Sequence, residues 1–168
     1  MFLINLLNLT NSFTFVFSLC CMGIVVCLYA IKIEKDEERY KKDEKLRAPR
    51  MCDINDSISC TTVLTSKYSH MTKIMFGLSE NSIFNYSNAH YGLLFYIGLT
   101  AFQFYPFTLI PYHAHLFFAA SVASVIASCG LAYILRYILH NFCMICVCMY
   151  IINILFLISS SMRLIEMQ

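Results

Sequence analysis

Hydrophobic and polar positions separate along this chain into long blocks. From Phe13 to Ile31 the sequence is apolar apart from Thr14 and Ser18. Tyr91 to Ile110, Leu116 to Leu135 and Phe142 to Met162 are three further runs with no charged residue. Each is close to the ~20 residues that an α-helix needs to cross the ~30 Å hydrocarbon of a bilayer. The pattern predicts an all-α membrane bundle, residues 1–168 forming one domain. Its four spans fall at about 13–33, 91–110, 113–136 and 142–162, with a polar segment at 34–90 between the first two. No Lys or Arg precedes the first run, so it reads as a retained span and not a cleaved leader.

The polar segment begins with a charge run, Glu34 to Arg50, in which Glu37 and Lys41, and Glu38 and Lys42, are four apart. That spacing supports a helical extension of the first span into water. Cys52 follows, then Asp53-Ile-Asn-Asp-Ser-Ile-Ser59 and Cys60. Asp, Asn and Ser favour turns, so this stretch reads as a loop that can bring two sulfurs within bonding reach. From Thr61 to Leu78, Leu64, Tyr68, Met71, Met75 and Leu78 recur at threes and fours with polar residues between. This predicts an amphipathic helix too polar to span, lying at the interface and covering whatever opens below it. In the third span Ala119, Ser121, Ala123, Ser124, Ala127, Ser128 and Gly130 offer small faces for close packing.

Composition strengthens the membrane reading. The chain is 59% hydrophobic and 13% charged, against roughly 25% charged for a soluble domain. Charge is almost confined to the polar segment, where acids and bases interleave, and the net value is +2. A nucleic-acid surface needs one sign to dominate, so that class is set aside.

Of the nine cysteines, Cys20, Cys21, Cys27, Cys129 and Cys148 lie inside apolar runs, where Cys ordinarily packs as a small hydrophobe. Cys52 and Cys60 lie in the polar segment, and Cys143-Met-Ile-Cys146 opens the fourth run. Cys143, Cys146, Tyr150 and Asn153 then share one helical face. Thiolates are the nucleophiles of disulfide exchange, and a helix N-terminus favours them. One such thiolate beside a quinone can attack the ring or an epoxide carbon, and the second can resolve the adduct. Cys52 and Cys60 can carry electrons from an outside dithiol to that pair. A permanent disulfide staple and metal ligation with His140 are the rivals. Metal is disfavoured because no second Cys-x-x-Cys and no His-x-x-x-His accompanies the pair. His113 and His115 read as interfacial residues at the other end of the bundle.

The chain resembles the vitamin K epoxide reductase family over nearly its whole length. The residues that carry the resemblance are Met51-Cys52-Asp53 with Ile-Ser-Cys60 after it, Asn85-Tyr-Ser-Asn88 ahead of Tyr91-Gly-Leu-Leu-Phe95-Tyr, Asn141-Phe-Cys143-Met-Ile-Cys146, and Tyr150. The resemblance implies a reductase of the warfarin-sensitive type acting on vitamin K epoxide and quinone, with no permanently bound cofactor and no metal. It implies that Cys146 meets the quinone and that Cys143 exchanges with Cys60. It also implies that Cys52 and Cys60 accept electrons from a thioredoxin-fold partner, and that Asn88 and Tyr150 hold the quinone oxygens. Tyr91, Phe95 and Leu64 fall on the implied pocket wall. Leu64 stands where some relatives carry an aromatic, and Cys148-Met149 replaces small hydroxyl residues, so the wall departs from the pattern while all four sulfurs are kept. A quinone-dependent disulfide-generating enzyme and a non-catalytic, disulfide-stapled tetraspan are the alternatives.

The basic residues from Lys32 to Lys73 would by charge alone hold the polar segment in the cytosol. The resemblance instead implies an endoplasmic-reticulum membrane with that segment lumenal. Four-cysteine exchange belongs on an oxidising side, which favours the lumenal choice.

Overall fold

A computed structural model describes residues 13–41, 52–55, 58–71, 77, 86–104 and 111–166. In chain order they form helix α1 (Phe13–Tyr40), strands β1 (Asp53–Asn55) and β2 (Ile58–Ser59), helix α2 (Cys60–Leu64), a 3-10 turn (Lys67–His70), and helices α3 (Asn88–Phe102), α4 (His113–Tyr137) and α5 (Met144–Glu166). The fold is all-helical apart from the short antiparallel hairpin of β1 on β2, which pairs Asp53 with Ser59 and Asn55 with Ile58. Among the described residues three helices are long and apolar enough to cross a membrane: Phe13–Tyr40, His113–Ile138 and Met144–Ile165. At ~1.5 Å per residue, the 15 residues of α3 fall short of a full crossing, and residues 105–110 of the expected second span lie outside the described set.

The apolar run that starts at Phe13 does not end the helix. α1 continues through Glu34, Glu37 and Glu38 to Tyr40, well into the charged segment. The helical extension expected from the four-residue charge spacing is therefore present.

Packing runs α3 on α1, α1 on α5, and α5 on α4. Helices that meet inside a bilayer gain little from expelling lipid, so contact depends on close surfaces and internal hydrogen bonds. Both are present. Val16, Leu19, Cys20 and Cys27 of α1, Tyr96 and Leu99 of α3, Phe117 of α4, and Ile152 and Phe156 of α5 form one buried cluster. Ser121 shares a hydrogen bond with Ser160 at 2.6 Å, and Asn153 Nδ2 donates to Ser128 Oγ at 2.8 Å, tying α4 to α5. Of the small residues on α4, Ser121 and Ser128 are buried, whereas Ala119, Ala123, Ala127 and Gly130 face outward. One small face packs against a neighbour and the other does not.

The single amphipathic helix expected from Thr61 to Leu78 is not what the described residues form. α2 stops at Leu64 and gives way to the 3-10 turn. Side-chain hydroxyls explain the break. Thr65 Oγ1 donates to Thr61 O at 2.8 Å, Ser66 Oγ to Val63 O at 2.8 Å and Ser69 Oγ to Ser66 O at 2.9 Å. Hydroxyls that bond nearby carbonyls offer the backbone an alternative to regular helix, and three fall within five residues. Met75 and Leu78 of the expected face lie outside the described residues.

Candidate functional site

A second buried cluster sits where α1, α2, α4 and the start of α5 converge. Ala30, Ile33, Cys60, Leu135, Cys143 and Ile145 form it, with Cys52, Val63, Leu64, Ala89, Cys146 and Tyr150 packed against it. Four sulfurs from two distant stretches of chain meet in this cluster.

The hairpin brings in the first pair, and Asp53 fixes it. Ser59 Oγ donates to Asp53 Oδ1 at 2.8 Å, Thr61 N donates to the same oxygen at 3.1 Å, and Thr61 Oγ1 donates to Asp53 Oδ2. Ser59 Oγ in turn caps α2 by accepting from Thr62 N at 3.1 Å, the ordinary duty of a serine at a helix start. One carboxylate thus holds both flanks of Cys60. Ser59 is also its strand partner in the hairpin.

The second pair is set by a tight turn. The chain leaves α4, passes through His140 at φ 51°, a left-handed conformation that His adopts more readily than most residues, and enters α5 at Met144. Cys143 accordingly sits at the helix N-terminus. Its carbonyl accepts from Val147 N at 3.1 Å, and its sulfur accepts from Cys146 N at 3.2 Å. The positive end of the helix dipole lies at this position. Cys146 Sγ stands 2.6 Å from Cys143 Sγ.

The four sulfurs form a line. Cys52 is hydrogen-bonded to Cys60, and Cys60 to Cys143; Cys143 contacts Cys146. Cys60 and Cys143 are fully buried, whereas Cys52 and Cys146 are half-buried. Both ends are open and the middle is closed. Burial pushes the Cys52 thiol up to about 11, with its hydrogen bond to Cys60 and the charge of Asp53 adding to the rise and the Tyr29 hydroxyl opposing it. The Cys60 thiol is also pushed up, first by its hydrogen bond to Cys143 and then by burial. Among the described residues no three His, Cys, Asp or Glu side chains are arranged to hold a metal ion.

The other residues singled out from the sequence separate into groups. Leu64 and Tyr150 pack on the sulfur cluster. Tyr150 lies one turn below Cys146, and among the described residues its hydroxyl has no hydrogen-bond partner. Asn88, the first residue of α3, has its amide engaged: Oδ1 accepts from Met71 N at 3.1 Å, and Nδ2 donates to Tyr68 O at 2.9 Å. It ties the 3-10 turn to the bundle. Tyr91 and Phe95 line a groove of about 460 Å³ with Leu94, Leu99, Phe102 and Leu116, and do not belong to the sulfur cluster. Asn153, on the same helical face as Tyr150, is satisfied inside the bundle by Tyr96 and Ser128. Of the cysteines read as packing residues, Cys20 and Cys27 are buried, but Cys21, Cys129 and Cys148 are exposed on the helix surfaces. His113 does sit at the far end, its Nε2 2.8 Å from Phe102 O and its ring stacked on Phe102.

Sequence reasoning assigned no part to Asp53, Ser59 and Thr61 as a pinning set. A signal exists in Ser59 as a residue that favours helix starts, but the Asp contact spans eight residues and closes only through the hairpin.

Comparison with known proteins gives the family. The family model described as the vitamin K epoxide reductase family matches residues 13–161. The mouse protein named vitamin K epoxide reductase complex subunit 1 is 32% identical over 147 residues, covering 82% of this chain and 81% of that one. The rat protein of the same name is 32% identical over 146 residues, covering 81% and 80%.

Proposed function

Because this chain belongs to the vitamin K epoxide reductase family, we propose that it reduces a quinone epoxide and a quinone of the vitamin K class through its line of four sulfurs. A dithiol partner of thioredoxin fold attacks Cys52 of a Cys52–Cys60 disulfide. The freed Cys60 thiolate attacks Cys143 of a Cys143–Cys146 disulfide, and Cys146 is released as the thiolate that meets substrate. The partner's second thiol leaves as its own disulfide and frees Cys52, which attacks Cys60 of the Cys60–Cys143 disulfide, restoring 52–60 and releasing Cys143 as a thiol. Cys146 then attacks the substrate ring, Cys143 displaces it, and the 143–146 disulfide returns. With the epoxide, two thiols give quinone, water and one disulfide. With the quinone, two thiols give hydroquinone and one disulfide. Each turn moves two electrons and two protons, and exchange through mixed disulfides carries them.

The observation that carries this reading is the exposure pattern along the line. Half-buried Cys52 is reachable by a protein donor and half-buried Cys146 by a lipid-phase acceptor, while the fully buried Cys60 and Cys143 join them. A structural staple has no need of four sulfurs in contact. The Tyr150 hydroxyl, without a hydrogen-bond partner among the described residues, supports a role in holding a substrate oxygen, since a phenol in hydrocarbon needs a partner. The bonds from Asn88 to Tyr68 O and Met71 N support a further role for it in seating the hairpin-and-turn segment, which we read as the lid of the site. In the membrane we read α3 as part of a fourth crossing, with the lid on the lumenal side of the endoplasmic reticulum.

The test is turnover of vitamin K epoxide by the purified full chain with a dithiol reductant, with and without a coumarin-type anticoagulant as a competitor. Epoxide consumption that is lost in Cys146→Ala and inhibited by the coumarin supports the reading. Quinone-dependent oxidation of a dithiol protein without epoxide turnover would move the assignment to a disulfide-generating enzyme.

A further inference from the structure

Glu34 lies where α1 leaves the apolar run, and its carboxylate is mostly buried, with 13% of the side chain exposed. Two imidazoles from other elements face it. His70 Nε2, from the 3-10 turn of the lid, stands 3.5 Å from Oε1. His90 Nδ1, from the first turn of α3, stands 4.0 Å from Oε2 and 2.7 Å from Ser87 Oγ. Asn88, between Ser87 and His90 in sequence, holds the lid backbone on either side of His70, at Tyr68 O and Met71 N. The carboxylate therefore joins three elements at the point where the lid is attached. The remaining titratable groups nearby are Glu37, one turn further along α1; exposed Lys35 and Glu38 on the same helix; Lys67, whose ammonium lies 5.1 Å over the Tyr68 ring; Tyr91 on α3; and Tyr86, whose ring centre is 5.5 Å from that of His90.

We propose that Glu34 is a positioning residue that holds the lid down on the sulfur site through His70 and His90. The proposal rests on the reading above that this segment covers the substrate site. Partial burial leaves contacts to a carboxylate less screened than surface ones. His70 Nδ1 is buried with no partner among the described residues, so the Glu34 side supplies the pull on this ring. A tighter lid lowers the KM for a lipid-phase substrate without altering the sulfur chemistry beneath it.

The experiment compares the full chain with Glu34→Gln, which keeps the shape and removes the charge. Hydrogen exchange of the 67–71 amides reads lid seating without turnover, and variant is compared with wild type at the same pH so that intrinsic exchange cancels. KM and kcat for vitamin K epoxide are measured in parallel. Glu34→Gln should exchange faster and raise KM about three- to tenfold, the size expected for two part-buried contacts, with kcat within about twofold. His90→Gln should show about half the effect and serves if Glu34→Gln does not fold. Equal exchange and equal KM would overturn the proposal. If wild type turns over no epoxide, the functional reading fails, and the exchange comparison still decides the latch.

Discussion

Tyr96 on α3 donates its hydroxyl hydrogen to Asn153 Oδ1 on α5 at 2.7 Å, and both side chains are buried in the bundle. Asn153 passes the connection on to Ser128 of α4, so one amide joins three helices. Hydrogen bonds of this kind between membrane helices average ~0.6 kcal/mol and reach about 1.7 kcal/mol. Tyr96→Phe should therefore lower stability by about 1 kcal/mol. Asn153→Leu should cost more, because it strands the Tyr96 hydroxyl in hydrocarbon. Thermal unfolding in one detergent at fixed concentration measures both.

Gly23 meets the same tyrosine from α1. A Cβ built there would lie 2.7–2.8 Å from ring carbons of Tyr96, which is fully buried and has no room to retreat. Gly23→Ala should destabilise by about 1–3 kcal/mol, the usual range for overpacking. Gly98→Ala, with nothing within 4 Å of its Cβ, is the control and should be close to neutral.

Asp53 accepts from Ser59, the Thr61 backbone and the Thr61 hydroxyl. Asp53→Ala leaves those donors without an acceptor, at about 1–3 kcal/mol for the buried ones, and frees Cys60 from its fixed place. Reduction of the 143–146 disulfide by a dithiol should slow by at least about tenfold, while reaction of prereduced protein with quinone stays near wild type. Rapid-quench thiol trapping separates the two half-reactions. Equal slowing of both would count against the hairpin as the electron inlet.

The Cys52 thiol is pushed up to about 11, so it is almost wholly protonated at neutral pH. Alkylation of the reduced protein at Cys52 should rise about tenfold per pH unit between pH 8 and pH 10. Stability runs the other way. The native state keeps a proton that the unfolded chain releases near its ordinary thiol value of ~8.5, so it binds more protons than the unfolded state through this interval. The contribution is complete below about 8.5 and is lost as pH climbs towards 11. Mass-tag counting and pH-dependent unfolding of the reduced protein give the two slopes.

Cys21, Cys129 and Cys148 are exposed and stand apart from the sulfur line. Replacing all three by Ala should leave turnover within a few-fold. Cys146→Ala should abolish it with the fold kept, and Cys52→Ala should block reduction of the protein by the donor. Turnover assays and non-reducing gels distinguish these outcomes.

The parts of this architecture that were readable from the chain are those governed by local periodicity. The uncharged runs at 13–31, 116–135 and 142–162 lie within long helices, the last from Met144 onward, and Cys143, Cys146 and Tyr150 fall on one face because helical spacing puts them there. The fate of Thr61–Leu78 depended on whether Thr65, Ser66 and Ser69 turned their hydroxyls outward or back onto carbonyls, a choice that residue spacing does not encode. The outward-facing Cys21, Cys129 and Cys148 were misread because helix phase relative to its neighbours is set by packing, and lipid accepts a thiol as readily as a core does. Asn88 and Asp53 find partners through tertiary closure, at separations where no sequence pattern points. Glu34, His70 and His90 come from three elements, and nothing in the charge run singles out one carboxylate from its neighbours.

The sealed middle of the sulfur line has a further effect. Peroxide or a stray small thiol arriving from water can touch Cys52 but cannot reach Cys60 or Cys143 past their neighbours. Wires insulated along their length and bare only at the contacts do not short-circuit, and this protein is insulated by Ala30, Ile33, Leu135 and Ile145. Leakage of reducing power should therefore depend on how tightly those four aliphatic side chains fit, long before any cysteine is altered.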